Sequence, residues 1–220
     1  GVESHILPDS PLASGHLFVN PGKHGFPIWN QYASSGGHLA DPRVIASRAM
    51  VNTRGVFREN LAQFKSAGDL SLVQGATYTV LNGFNYSPPD IEFPGWIHSG
   101  SYLSPSSPWW PYLPQWVVYS SRVWSVLQQS RPVVQIAILA PTSDVWSEAG
   151  LSAKAFRQTP WYAHQLWKTF SQHGCSADYV SQKVLQRAKC ENGKLCCGAM
   201  KYDALIIVDA SSLAPATTSA

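Results

Sequence analysis

Charge is what this sequence has least of. Lys, Arg, Asp and Glu make up 13% of the 220 residues, about half the share of an average globular domain. The net charge is only +3 and no basic cluster interleaves with the aromatic residues, so the electrostatic footprint of a nucleic-acid binder is missing. No apolar run reaches the roughly 20 residues of a membrane helix. No G-x-G-x-x-G turn and no G-x-S-x-G elbow occurs, which removes the sequence support for dinucleotide binding and for serine-hydrolase chemistry. His16, His24, His38, His98 and His164 show no metal-ligand spacing, and neither a metal nor an organic cofactor is expected. No signal peptide is visible, which leaves a mature, truncated or non-secreted chain.

Cysteine is scarce and late: Cys175, Cys190, Cys196 and Cys197. Cys190 to Cys197 reads as a hairpin around Asn192-Gly193, the favoured two-residue turn. In that register Cys190 faces Leu195, with Cys197 diagonal to it and Cys196 on the other face. Disulfides Cys190–Cys197 and Cys175–Cys196 are expected, and an even count favours an oxidising, extracellular compartment. A zinc site is the rival, without C-x-x-C spacing to support it.

Against these shortages stand nine Trp. Many of the aromatics fall in Gly75 to Trp116, the stretch the chain is organised around. Thr77 to Leu81 reads as a buried strand. It runs into Asn82, Gly83, Phe84, Asn85 and Tyr86, then into a long loop with Trp96, His98, Tyr102, Trp109 and Trp110. Six prolines between Pro88 and Pro111 exclude a long helix or a central strand there. The loop is too aromatic for ordinary disorder and belongs at the C-terminal end of a strand, where α/β proteins place ligand sites. Asn85-Tyr86-Ser87 is an N-glycosylation sequon, although Pro88 follows it.

Taken in order, residues 1–42 read as mostly loop, with a short helical or extended piece at Phe26–Tyr32 and a flexible turn at Ser34–His38. Arg43–Met50 reads as a strand, Val56–Gln74 as an amphipathic helix including Phe57, and 77–81 as a second strand parallel to the first. Pro111–Gln129 reads as a helix apolar over a wide arc, sandwiched between two layers. Trp116 and Trp124 follow its stripe and belong to the core. Val133–Leu139, Asp178–Val180 and Ala204–Val208 read as strands, with helices at Pro160–His173 and Gln182–Ala188. Alternating strands and helices mean α/β with a small parallel sheet, flavodoxin-like or Rossmann-like, in the second part. The first part has too few elements to close a core, and looks like the tail of a (β/α)8 barrel in a longer protein. The domains are expected at 1–130, with the aromatic loop 83–111 and a connecting helix 111–129, and at 131–220.

Several motifs together resemble glycoside hydrolase family 106 and its α-L-rhamnosidase-type relatives. They are Trp29-Asn30-Gln31-Tyr32-Ala33-Ser34-Ser35-Gly36-Gly37-His38-Leu39, Ala49-Met50-Val51-Asn52-Thr53 with Gly55-Val56-Phe57, and Gly83-Phe84-Asn85-Tyr86-Ser87-Pro88-Pro89. Phe93-Pro94-Gly95-Trp96, Trp109-Trp110-Pro111-Tyr112 and Ile136-Ala137-Ile138-Leu139 continue the match in order. The resemblance implies the C-terminal part of a (β/α)8 barrel followed by a flavodoxin-like domain. It also implies a glutamate where Arg48 stands, a histidine where Asn82 stands, and an acid near Leu12, for which Asp9 is a nearby substitute.

Glycoside hydrolysis needs two carboxyl groups across the scissile bond, and an arginine stays protonated in either role. Arg48 therefore marks a degenerate catalytic position, its guanidinium paired with an acid at the rim. Two functions are weighed. One is an inactive, extracellular glycoside-hydrolase-like protein that binds carbohydrate through Asn82, Asn85, Tyr86, Trp96, His98 and Trp109, or serves an extracellular assembly with other subunits or segments. The other is an active glycosidase with its carboxylates at Asp90 and Glu92 or outside the chain. The bland alternative for those two acids is a pair of solvated loop charges, and for each Trp it is core packing.

Overall fold

The computed structural model describes residues 13–18, 28–40, 44–51, 57–58, 60–81, 83–96, 102–141, 143–144, 147 and 161–219. The architecture is mixed α/β, with parallel and antiparallel sheets. The chain divides into two compact units, one holding 14–30 and 43–131, the other 31–42 and 132–220.

In the first unit, strands β1 (Ala13–Phe18), β2 (Ile45–Val51) and β3 (Tyr78–Leu81) form a sheet in that order. β2 and β3 are parallel as expected, with Ser47 opposite Thr79 and Arg48 opposite Val80. Between them runs helix α2 (Leu61–Val73). It starts later than the hydrophobic pattern suggests because Asn60 stops it. The Asn60 side chain accepts from Gln63 N–H and the Gln63 side chain accepts from Asn60 N–H, both at 3.0 Å, a reciprocal cap. Phe57 therefore lies outside the helix. The other end closes on Gly75, whose φ of 92° suits a residue without Cβ.

A single 3₁₀ turn (Trp110–Tyr112) leads into helix α3 (Leu113–Leu127). α2 and α3 pack around Phe64, Ala67, Leu103, Leu113 and Trp116. Phe64 meets the edge of Trp116 at 5.1 Å, and Trp116 meets Trp124 at 6.2 Å. The expectation that α3 lies between two layers is corrected: Val117, Val118 and Val126 are exposed, so within the described residues one face is buried. A polar chain runs beneath the sheet, where Ser47 Oγ donates to Asn30 Oδ1 at 3.1 Å and Asn30 Nδ2 to Gln74 Oε1 at 3.0 Å.

The second unit is built on β4 (Ile136–Leu139), β5 (Ala177–Val180) and β9 (Ala204–Ile207), all parallel in the order β5-β4-β9. Ala137 and Ile138 are fully buried, as a central parallel strand requires. Helix α4 (Trp161–Gln172) precedes β5, the one-turn α5 (Gln182–Leu185) follows it, and α6 (Pro215–Thr218) follows β9. Strands β6 (Lys189–Glu191), β7 (Lys194–Cys197) and β8 (Met200–Tyr202) form an antiparallel meander. Its first turn has Asn192 at φ 52° and Gly193 at φ 75°, the paired positive values of the expected hairpin.

The largest departure from the sequence reading is helix α1 (Ile28–Ala40). It runs unbroken through the residues expected to form a flexible turn. Ser34 and Ser35 bond back to Gln31 O at 3.0 and 2.6 Å, and Gly36 and Gly37 are buried. Small side chains let this helix lie close to β5, where Ser35 Oγ accepts from Tyr179 N–H at 2.9 Å. Close packing thus overrides weak helix propensity. One turn on, His38 Nδ1 lies 2.8 Å from Asp178 Oδ1, and Tyr202 donates to Asp178 Oδ2 at 3.0 Å. At the end of the helix Leu39 O accepts from Ala199 N–H at 3.1 Å. Gly198, at φ 56°, passes so close that a Cβ there would strike Leu39 O.

The expected disulfides are absent: Cys175, Cys190, Cys196 and Cys197 are all free. Cys190 does face Leu195 and Cys197 pairs with Met200, so Cys190 and Cys197 are diagonal neighbours. That relation puts α-carbons about 7–8 Å apart, beyond the usual reach of a disulfide. Cys197 instead packs in the core with Leu39, Leu139 and Tyr202. Burial, then the neighbouring Cys196 and Cys190, pushes its thiol up to about 11. Cys196 Sγ sits 3.9 Å from Glu191 Oε2, and Cys175 lies before β5.

The loops at the carboxyl ends of β4, β5 and β9 are stitched to one another. Asp144, after β4, accepts from Ser211 N–H at 2.8 Å, Ser212 N–H at 3.3 Å and the Ser212 hydroxyl. Gln182, after β5, donates to Ser143 Oγ at 3.3 Å and accepts from Ala214 N–H at 2.8 Å. The Ser212 hydroxyl is the main reason the Asp144 carboxyl is held below its ordinary value.

Two outcomes follow from these contacts. His38→Ala removes a partner from a buried carboxylate and should cost about 2–3 kcal/mol, read as a lower urea midpoint at neutral pH. The lowered Asp144 value means the native state takes up this proton later than the unfolded chain. Its contribution is present above about pH 4 and fades as pH falls through the native value. Acid titration of the thermal midpoint should therefore be shallower in Asp144→Asn.

Candidate functional site

The loop that leaves the carboxyl end of β3 is ordered by its own backbone over residues 83–96. Phe84 bridges Leu103 in parallel, and Asn85 N–H donates to Leu103 O at 2.9 Å, so the loop closes on itself near its root. Two tight turns follow. Ile91 N–H donates to Pro88 O at 3.2 Å, and Gly95 N–H to Glu92 O at 2.8 Å. The second turn contains a cis Phe93–Pro94 bond. Ser87 Oγ accepts from Trp96 N–H at 2.8 Å, and the buried Tyr102 hydroxyl donates to Pro94 O. Gly95 has φ 86°, and a Cβ on it would collide with Ser87 Oγ.

This frame turns aromatic rings outward. Phe84, Tyr86, Phe93 and Trp96 are 61%, 67%, 67% and 61% exposed. Phe57, from the segment after β2, stacks on Phe93 at 5.6 Å and 13°, and meets Tyr102 edge-on at 5.0 Å. Flat exposed rings present apolar faces that suit the C–H faces of sugar rings. Asp90 and Glu92, one on each turn, are exposed.

The expected site residues are distributed unevenly. Tyr86 and Trp96 are exposed. Trp109 is half-buried and packs at 5.5 Å against Phe64, with Trp110 also against the core. Asn85 Oδ1 is buried without a hydrogen-bond partner among the described residues. Asn82, His98 and the Arg48 side chain lie outside the described residues, as do Asp9 and Leu12; the Arg48 backbone is in β2. Phe57, Phe84 and Phe93 were not expected at the site. Phe57 counted as the start of a helical stripe, and only its position ahead of Asn60, a strong cap residue, could have separated it from the helix. Among the described residues no three His, Cys, Asp or Glu side chains gather as a metal site would, and no helix is long and apolar enough to cross a membrane.

Comparison with known proteins bears on this geometry. Residues 19–217 match the profile of glycoside hydrolase family 106, described as alpha-L-rhamnosidase. A protein of Formosa agariphila, provisionally named a beta-glucuronidase, is 23% identical over 198 residues, which cover 88% of this chain and 16% of that protein. The solved structure of a rhamnosidase from Novosphingobium sp. PP1Y superposes with a TM-score of 0.72 at 17% identity, covering 96% of this chain and 20% of that one. The chain thus spans a fifth or less of the length of these relatives.

The loop frame is directly testable. Gly95→Ala forces a side chain into a positive-φ position against Ser87, a strain of about 1–3 kcal/mol. A lower thermal midpoint and a changed near-ultraviolet dichroism of the loop aromatics are expected.

Proposed function

The chain belongs to glycoside hydrolase family 106, the α-L-rhamnosidase family, and on that premise we propose that it is a segment of a larger glycoside-hydrolase-like protein that binds carbohydrate on the aromatic loop. The carrying observation is the outward-facing group of Phe84, Tyr86, Phe93 and Trp96 on a hydrogen-bonded frame. Solvent-exposed aromatics on a self-closed loop are costly to leave unused, and they sit at the carboxyl end of a parallel strand, where ligands are usually met. In this reading residues 1–130, apart from 31–42, which fold with the second unit, are the C-terminal part of a (β/α)8 barrel, and 131–220 a flavodoxin-like domain. The protein is extracellular, where glycans are met, although four free thiols add nothing to that placement.

The same reading takes Arg48 as the successor of a catalytic glutamate and the segment as catalytically degenerate. Its place in β2 opposite Val80 puts it on one of two adjacent parallel strands, and a permanent cation supplies neither acid nor nucleophile. Asp90 and Glu92 are solvent-exposed on the two turns of the loop.

The test uses the full-length natural polypeptide and neutral oligosaccharides. Binding without turnover is expected, weakened about three- to tenfold by Trp96→Ala or Phe93→Ala. Turnover that Asp90→Asn or Glu92→Gln abolishes would overturn the degenerate assignment and make those acids the catalytic pair.

A further inference from the structure

We infer that Phe57 is a positioning residue of the carbohydrate site: from the segment after β2 it holds the ring of Phe93 for a sugar, an inference that rests on the carbohydrate-binding reading above. Phe57 lies nearly parallel to Phe93, with ring centroids 5.6 Å apart and planes at 13°. It meets the buried Tyr102 edge-on at 5.0 Å. The Tyr102 hydroxyl donates to Pro94 O, next in the chain to Phe93. These contacts close a circuit. The turn that carries Phe93 is held at its backbone by Tyr102 and at its side chain by Phe57. The backbone of the two holding residues is strained. Phe57 and Tyr102 have φ 57° and 51°, a left-handed conformation that bulky residues rarely adopt. Among the described residues the other non-glycine positive values are at Asn192 and Asp209, whose short polar side chains tolerate it. Strain of this kind persists where the surroundings over-determine it, and it gathers at ligand sites.

The stacking divides the faces of Phe93. Phe57 covers one of them, yet Phe93 is still 67% exposed, so the face turned away from Phe57 is the one open to a ligand. A sugar does not fit between the two rings as they stand, because a pyranose held between rings needs them about 7 Å apart or more, twice an ordinary carbon contact. It is laid instead on the open face, where it presses Phe93 against Phe57. Without Phe57 the Phe93 side chain would stand on an exposed turn with its rotamers free, and ordering it on binding would weaken affinity. A flat partner serves better than a merely bulky one. Stacked and edge-on ring contacts use the quadrupole of an aromatic ring, which an aliphatic side chain lacks. Phe57 thus acts on the sugar through Phe93.

The experiment is calorimetry of the full-length polypeptide with dextran, hydroxyethyl-cellulose and methyl-esterified galacturonan, each variant being titrated with whichever binds the unaltered protein most tightly. The variants are Phe57→Ala, Phe57→Leu, Phe57→Tyr, Phe93→Ala and the double variant Phe57→Ala, Phe93→Ala. Thermal unfolding sets a temperature at which they are folded, and Phe57→Leu, which keeps most of the bulk, stands in where Phe57→Ala does not fold. Phe57→Ala and Phe57→Leu should each bind about three- to tenfold more weakly, and Phe57→Tyr within about twofold of the unaltered protein. In the Phe93→Ala background the loss of Phe57 should change nothing more, since no ring is left for it to hold. A general loss of packing would weaken binding by the same factor in both backgrounds, and that result overturns the inference. So does full affinity in Phe57→Ala or Phe57→Leu while Phe93→Ala binds weakly, or a Phe57→Tyr variant no better than Phe57→Leu; glycan binding then stands. Failure to bind any of these polysaccharides, or binding indifferent to Trp96→Ala and Phe93→Ala, overturns the carbohydrate-binding reading and this inference with it.

Discussion

One buried carboxylate organises the second unit. Asp178 is 2% exposed on β5, an outer strand of the described parallel sheet, and an unpaired charge buried there would be prohibitive. Both oxygens must be satisfied, and they are, by His38 from α1 and Tyr202 from β8. The helix and the meander are therefore pinned to the same strand from different sides of the sequence. The requirement propagates along α1. His38 can reach Asp178 only if the helix lies close to β5, and the run Ser34-Ser35-Gly36-Gly37 removes the bulk that would keep it away. The Tyr202 hydroxyl, buried and beside that charge, is pushed far above its ordinary range and stays a donor.

The same run shows where the sequence was hard to read. Ser-Ser-Gly-Gly carries every local mark of a turn, and only contacts more than a hundred residues away make it helical. Elements whose cause is local were legible. The periodicity of α2 and α3, the apolar run of β4 and the Asn-Gly hairpin all came through, although α2 begins at Leu61 rather than Val56. β1 did not, because nothing in Ala13–Phe18 sets it apart from the surrounding loop residues. The cysteines misled for a related reason. Hairpin register was readable, but register sets only which residues face each other. Whether a thiol seeks a partner or packs among Leu39, Leu139 and Tyr202 depends on the core.

For the candidate site, the loop was legible and its inner and outer faces were not. A Pro-rich, aromatic stretch after a buried strand announces an ordered loop. Which rings point outward is decided by hydrogen bonds such as Trp96 N–H to Ser87 Oγ, and by the closure of Asn85 on Leu103. Trp109 went inward because Phe64 of α2 offers it a face. Phe57 joined the site through space, since its stacking partner Phe93 belongs to a different loop.

The stitched loops of the second unit bear on what that unit can host. In the order β5-β4-β9 the chain reverses direction across the sheet between β4 and β9, the place where such sheets ordinarily admit a phosphate or a cofactor. Here Asp144 already sits on two amide N–H groups and a hydroxyl, as an incoming phosphate would. The carboxylate of the loop after β4 thus acts as a clasp on the loop after β9, fastening the two sides of that crevice to each other.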